Sequence, residues 1–315
     1  MLKKDLLSIY DLKAKEINIL LTESLNIKSK KEHFDIFKGK IFGMMFEKPS
    51  TRTRISFSTA IVQLGGIPIS LEPENLQRKR GESIHDTAIV LSSYLDGLIV
   101  RTFKHCDVEE FAKYSTIPII NALSDKEHPC QSLADIMTIM ELYNIKIIND
   151  LKKIKIVYIG DSNNVSNSLL AISVVLGLNF TIISPKKYLP NKDILSEAFK
   201  YASLSDAKIK ITSDIYDVKN ADVIYTDVWT SMGYESEMEI RKKIFTPYQV
   251  NNDLLKMASS ECIVLHCLPA TRGNEITSEI MYKHKHSIFT QAENRLHSQK
   301  AILLYFYANA EREFF

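Results

Sequence analysis

The stretch Phe46 to Phe57, FEKPSTRTRISF, gathers three cations and three hydroxyls into the seven residues from Lys48 to Arg54. An apolar, helix-like run follows at once. Ser50 or Thr51 at such a helix start can cap it, and the N–H groups of the first turn then point outward with the positive end of the helix dipole. Arg52 and the hydroxyls add charge-assisted hydrogen bonds, so the chemistry is anion binding, and phosphate suits it best. A plain helix start with exposed arginines accounts for the same residue types. Arginine at a helix N-terminus opposes the dipole, however, which favours a bound anion.

Other residues with chemical potential lie at the ends of apolar runs. Arg101 closes GLIVR. His128, Pro129, Cys130 and Gln131 stand in SDKEHPCQSLAD, just ahead of a helical pattern. His can donate to a carbonyl oxygen, and Gln can read an amide with its donor and acceptor. A loop histidine is the bland alternative. His128 and Cys130 could join His266 and Cys267 around a metal, but the spacing matches no standard zinc pattern and no metal is expected.

YIGDSNNVSNS invites a dinucleotide reading and fails it. Gly160 stands alone where G-x-G-x-x-G is needed, and the next strand ends ISPKK without an acid for a ribose. Asn163 and Asn164 can instead bind a carboxylate or amide. TDVWTSMGYESE puts Asp227, Trp229, Ser231 and Gly233 on a loop. Asp and Ser beside a Gly can bind an amino group, or form an ordinary turn. In LHCLPATRG, Cys267 is either a buried structural thiol or a substrate contact.

The elements that must position these residues alternate. Strand-like KIFGMMF, IPISLE, GLIVRTF and IPIINAL are interleaved with helical RISFSTAIVQLGG, SIHDTAIVLSSYL, DVEEFAKYS and QSLADIMTIMELYN. After the charged DLKKIK the alternation restarts with KIVYIG, a helix over NVSNSLLAISVVLGL, NFTIISP, ADVIYTDVW and CIVLHCLP, and SQKAILLYFYANAERE reads as a final helix. The expectation is an α/β fold of two domains, each a parallel sheet flanked by helices. Ligands then belong beyond the carboxyl ends of the strands.

Bulk properties agree. A chain of 315 residues exceeds one ordinary core. A net charge of +2 gives no field for nucleic acid. Cys106, Cys130, Cys262 and Cys267 form no C-x-x-C pair, which fits a reducing cytoplasm. Charges interrupt the apolar residues at the N-terminus, so no signal peptide is expected, and no run approaches a membrane span.

Taken together and in order, STRTR, HPCQ, GDSNNVSNS, DVWTSMG, HCLPATRG and AENRLHSQKA resemble the aspartate/ornithine carbamoyltransferase family, and the later ones resemble its ornithine-using branch. The resemblance implies a carbamoyl-phosphate domain over residues 1–146, with a C-terminal helix of about 292–315 packing back on it, and an ornithine domain over 147–291. It implies transfer of a carbamoyl group to the δ-amine of L-ornithine, giving citrulline and phosphate, without a cofactor. Putrescine, an acylated ornithine or aspartate are the other acceptors to weigh. Ser50, Thr51, Arg52 and Thr53 would hold phosphate, leaving Arg54 to brace the site or pair with an acid. Arg101, His128, Pro129, Cys130, Gln131 and Arg295 would complete the carbamoyl-phosphate site, with Gln77 supplied by a neighbouring subunit. Asn164, Asp227, Ser231 and Met232 would bind ornithine, and Cys267 and Leu268 would meet the δ-amine. Catalysis would fall to Arg52, Arg101, His128, Asp227 and Cys267. A homotrimer is implied. Two positions depart from the family's pattern: Lys79, where ornithine enzymes commonly have Gly, and Thr271, where His or Tyr is usual.

Overall fold

Four short apolar runs of the first half become parallel strands: β1 (Ile41–Phe46), β2 (Ile67–Leu71), β3 (Gly97–Arg101) and β4 (Ile119–Leu123). Helix α1 (Ala14–Lys30) precedes them. Helices α2 (Arg52–Gln63), α3 (Ile84–Tyr94) and α4 (His105–Tyr114) connect them, and α5 (Pro129–Leu142) follows. β3 and β4 are buried along their whole length, which is why they read as continuous apolar runs rather than alternating ones. The strand order is β2-β1-β3-β4. The chain moves outward from β1 to β2, then returns to begin β3 on the other side of β1. That reversal puts a topological switch point between β1 and β3, where open α/β sheets bind ligands.

The second half repeats the logic. After the short α6 (Ile148–Leu151) come β5 (Lys155–Ile159), α7 (Asn164–Leu176), β6 (Asn179–Ile183), α8 (Lys192–Ser205) and β7 (Lys208–Thr212). Then follow β8 (Val223–Thr226), α9 (Met238–Phe245), α10 (Asn252–Leu255), β9 (Ile263–His266), α11 (Ser278–Lys283) and α12 (Lys285–Tyr307). The parallel order β7-β6-β5-β8-β9 places its switch point between β5 and β8. β7 and α8 lack the signals used above. KIKIT alternates Lys with Ile on a partly exposed edge strand, so no continuous apolar run marks it.

The computed structural model describes residues 3–30, 35–230 and 235–308. It divides into two compact units, Met1–Met137 with Asn294–Phe315, and Thr138–Glu293. The division falls inside α5 and inside α12. The final helix begins at Lys285, well before the SQKAILLYF run suggested. Its end belongs to the first unit, where Tyr307 lies against β3. A Cβ on Gly97 would come within 2.2 Å of the Tyr307 ring, so only glycine admits that packing.

Candidate active site

In the first unit, Phe46 of β1 pairs in register with Arg101 of β3. The Glu47 N–H donates to the Arg101 carbonyl at 2.8 Å, so the chain leaves the switch point with Arg101 beside it. FEKPSTRTR then enters α2. Thr51 takes helical dihedrals, φ −80° and ψ −58°, and its hydroxyl makes no cap bond. The side-chain cap anticipated there does not form at Thr51, because a capping residue must be extended and Thr51 is already wound into the helix.

Thr53 is buried on α2, and its hydroxyl accepts from Arg295 Nη2 at 2.8 Å. Arg295 Nη1 donates to Gln131 Oε1, and Gln131 Nε2 donates to Asp135 Oδ1 at 2.8 Å. This chain of bonds ties α2, α5 and α12 together and fixes both ends of the Gln131 amide. Arg101 is buried, with Nη2 3.4 Å from the Pro49 carbonyl. Buried His128 is held well below the usual histidine range, first by burial and then by Arg295, Arg101 and Arg52. Near neutral pH it is therefore a neutral imidazole, a donor that brings no charge of its own.

Two residues divide as the cluster's charge implies. Arg54 turns to Glu72, with bonds of 2.6 and 3.2 Å from its two terminal nitrogens. Lys48, which sequence reasoning counted but did not assign, is buried with Nζ 4.7 Å from the Phe103 ring centre. Burial and then Arg101 lower its pKa, which places its charge in the same field. Pro129 opens α5, where a missing N–H costs nothing. The Cys130 thiol faces inward, donating to the Asn121 carbonyl at 3.4 Å, and burial pushes it up to about 12. That thiol is committed to the core. Gln77 is exposed, and among the described residues its amide meets only Arg80, at 3.5 Å.

In the second unit, the ends of β5, β8 and β9 converge. Asp227 follows β8 and is buried. Its Oδ2 accepts from Asn163 Nδ2 at 2.8 Å, and its Oδ1 from the Cys267 thiol at 3.1 Å. Asn163 caps α7, its Oδ1 accepting from the N–H groups of Val165 and Ser166, which leaves its amide free to turn to Asp227. Asn164 is the first residue of that helix. The sequence offers both asparagines, and the family resemblance assigns Asn164 to ornithine; the cap position is the signal for Asn163.

Leu268 has φ +60°, an uncommon conformation for a side-chain-bearing residue and one that clusters at functional sites. Its N–H donates to His266 Nδ1 at 2.9 Å. The proton of that imidazole is therefore on Nε2, which faces Glu275 Oε1 at 3.1 Å. Asp227, His266 and Cys267 bring donor atoms within 4.8 Å of one another. The imidazole lone pair is already used by Leu268, so this group does not fit a metal. Behind the site, Arg241 on α9 pairs with Asp161 at 2.8 Å and with the Trp229 carbonyl at 3.1 Å. Ser231, Met232 and Gly233 lie outside the described residues.

The chain matches known proteins over nearly its whole length. Residues 4–141 match the model for the aspartate/ornithine carbamoyltransferase carbamoyl-P binding domain, and residues 152–306 match that for the Asp/Orn binding domain. An ornithine carbamoyltransferase of Methanosphaera stadtmanae is 49% identical over 305 residues, covering 96% of this chain and 99% of its own. One from Thermococcus kodakarensis is 46% identical over 305 residues, covering 95% of each chain. The structure of ornithine carbamoyltransferase from Pyrococcus furiosus superposes with a TM-score of 0.91 at 43% identity over 98% of both chains. The anabolic enzyme of Campylobacter jejuni gives 0.90 at 39%, over 96% of this chain and 98% of its own.

Proposed function

This chain belongs to the aspartate/ornithine carbamoyltransferase family, and we propose that it transfers the carbamoyl group of carbamoyl phosphate to the δ-amine of L-ornithine, giving L-citrulline and phosphate. The observation that carries the reading is the chemistry at the two switch points. The first unit gathers arginines around a neutral histidine and an oriented amide. The second presents a buried carboxylate braced by a thiol and an amide.

In this mechanism Ser50, Thr51, Arg52 and Thr53 hold the phosphate, helped by Arg101 and Arg295. His128 and Arg101 donate to the carbamoyl oxygen, and Gln131 reads the carbamoyl amide. Gln77 reaches the site of a neighbouring copy. Asn164, Asp227, Ser231 and Met232 bind ornithine, and Cys267 and Leu268 line the path of the δ-amine. The amine must attack as a neutral base. An alkyl amine has a pKa of about 10.4, so freeing it near pH 7 costs roughly 4–5 kcal/mol. Neighbouring arginines and desolvation reduce that cost, whereas a lone carboxylate would raise it. Asp227 therefore binds and orients. As the C–N bond forms and the C–O bond to phosphate breaks, negative charge grows on the carbonyl oxygen and then on phosphate. Arg52, Arg101 and His128 are donors aimed at that charge.

The test is citrulline formation by the purified chain from carbamoyl phosphate, with ornithine, putrescine and aspartate compared. Ornithine should be used at least about a hundredfold better. Equal use of putrescine overturns the acceptor assignment.

The homotrimer is part of the same reading. Ile67 and Ile69 on edge strand β2, with Ile55 and Val62 on α2 and Ile89, Val90 and Tyr94 on α3, are all exposed. An apolar edge strand of this kind is a surface that self-association covers. A cytoplasmic site fits the four free cysteines. No described helix is long and apolar enough to cross a membrane.

A further inference from the structure

We propose that Glu127 is a positioning residue for His128, clamping the turn that enters α5 onto the N-terminal segment of the chain. The proposal rests on the reading of His128 as a donor to the carbamoyl oxygen. Glu127 immediately precedes His128 and is only 1% exposed. Its Oε1 accepts from Ser8 Oγ at 2.5 Å, and its Oε2 from the Ile9 N–H at 3.0 Å. Its own N–H donates to Ser124 Oγ at 3.2 Å, and its carbonyl accepts from the Ser124 N–H at 2.9 Å. Both the side chain and the main chain of Glu127 are therefore held. On the far side, the His128 carbonyl accepts from the N–H groups of Gln131 and Ser132 at 2.9 and 3.3 Å, so α5 begins on it. His128 is suspended between two fixed frames.

The clamp is anchored in the sheet. The Leu6 N–H donates to the Ile119 carbonyl at 2.9 Å, and the Asn121 N–H to the Leu6 carbonyl at 2.8 Å. Asn121 Nδ2 also donates to the Leu7 carbonyl at 2.8 Å. Ser8 then caps a short turn over Ile9–Asp11, closed by Asp11 Oδ2 on the Ser8 N–H. A segment that precedes α1 thus reaches the loop before α5 through one carboxylate.

Among the described residues no cation pairs with that carboxylate; its two donors are neutral. The charged groups around it are Lys126 on the same turn and Asp11 on the Ser8 turn. His105 on α4 approaches through Ser124, with Nδ1 2.8 Å from its hydroxyl, and Asp125 accepts from the His105 N–H at 2.8 Å. Burial pushes Glu127 up to about 7. Ionised, it accepts from both donors. Protonated, one oxygen becomes a donor, and because the Ile9 N–H cannot receive it, the Ser8 bond must reverse. The geometry ahead of His128 therefore has two protonation states.

The experiment compares the full-length wild type with Glu127→Ala, Glu127→Gln and Ser8→Ala across a range of about pH 5.5 to 9, reading citrulline formation and Tm together. Glu127→Ala should lower kcat by about tenfold to a hundredfold through a displaced donor, with the KM for carbamoyl phosphate moving much less. Glu127→Gln, locked neutral, should lose the inflection near neutral pH that the wild type has. Ser8→Ala, which removes one donor to the carboxylate, should move that inflection upward. Variants that lose Tm alone and keep wild-type kcat and profile overturn the proposal. If Glu127→Ala does not fold, Glu127→Gln and Ser8→Ala carry the decision. The ring resonances of His128 in histidine-labelled protein give a readout free of activity. They should titrate with the Glu127 proton in the wild type and not in Glu127→Gln, and an unchanged titration overturns the clamp. A wild type that makes no citrulline overturns the proposed function, while the ring titration still judges the clamp.

Discussion

The Cys267 thiol donates to Asp227 Oδ1 at 3.1 Å, joining the loops that follow two adjacent strands, β9 and β8. With Asn163 on the other oxygen, the carboxylate is aimed before any substrate arrives. Asp227→Asn should raise the KM for ornithine about tenfold to a hundredfold, the usual worth of a hydrogen bond to a charged group. The KM for carbamoyl phosphate should change little. Cys267→Ser, which keeps a donor to Asp227, should be the milder of the two. Steady-state kinetics with each substrate varied checks both, and an unchanged ornithine KM in Asp227→Asn refutes the role.

Arg52 and Arg54 sit two residues apart, but Arg54 is paired with Glu72 while the charge of Arg52 acts on His128. Arg52→Ala should reduce kcat by about 10²–10³, as for loss of a donor to developing charge. Arg54 is tied to Glu72 in a half-exposed pair, worth roughly 0–1 kcal/mol. Arg54→Ala should therefore leave kcat within about threefold. Similar losses in both variants, measured on folded protein, would sink the division.

Glu127 also predicts the pH dependence of stability. Its folded pKa, about 7, lies above its ordinary value of 4.5. Between those values the folded chain keeps a proton that the unfolded chain has given up, so this group's contribution falls as pH rises through the window. The full effect is about 3 kcal/mol. Glu127→Gln should be more stable than the wild type near pH 8 and lose that advantage near pH 5. Urea melts at the two pH values measure the difference, and parallel curves contradict it.

The exposed apolar edge predicts an assembly phenotype. Ile67→Lys places a charge on the exposed edge strand β2, on the same face as Ile69. It should shift sedimentation from the proposed trimer toward a single chain, with the fold retained by circular dichroism. An unchanged sedimentation coefficient removes β2 from the interface.

The parallel strands were legible in the sequence because burial on both faces demands continuous apolar runs, and the polar residues that end those runs mark the switch points. Arg101, His128 and Asp227 could be read in this way. What was not legible depends on a single dihedral or a single rotamer. In DSNNVSNS, which asparagine turns to Asp227 is decided by which one caps α7. In EHPCQ, the thiol of Cys130 turns into the core while Gln131 faces Arg295. Glu127 gave no signal because its partners, Ser8 and Ile9, are distant in sequence and carry no motif.

The bond between Thr53 and Arg295 spans 242 positions of chain. During synthesis, the four strands of the first unit are made long before the helix that carries Arg295. Until that helix is made, the nascent chain has its STRTR segment but no arginine to set the Thr53 hydroxyl or the Gln131 amide. The anion site is therefore completed only after the whole second unit has been made. A gene fragment ending after α5, although it spans a whole family domain, encodes a scaffold without its finished pocket.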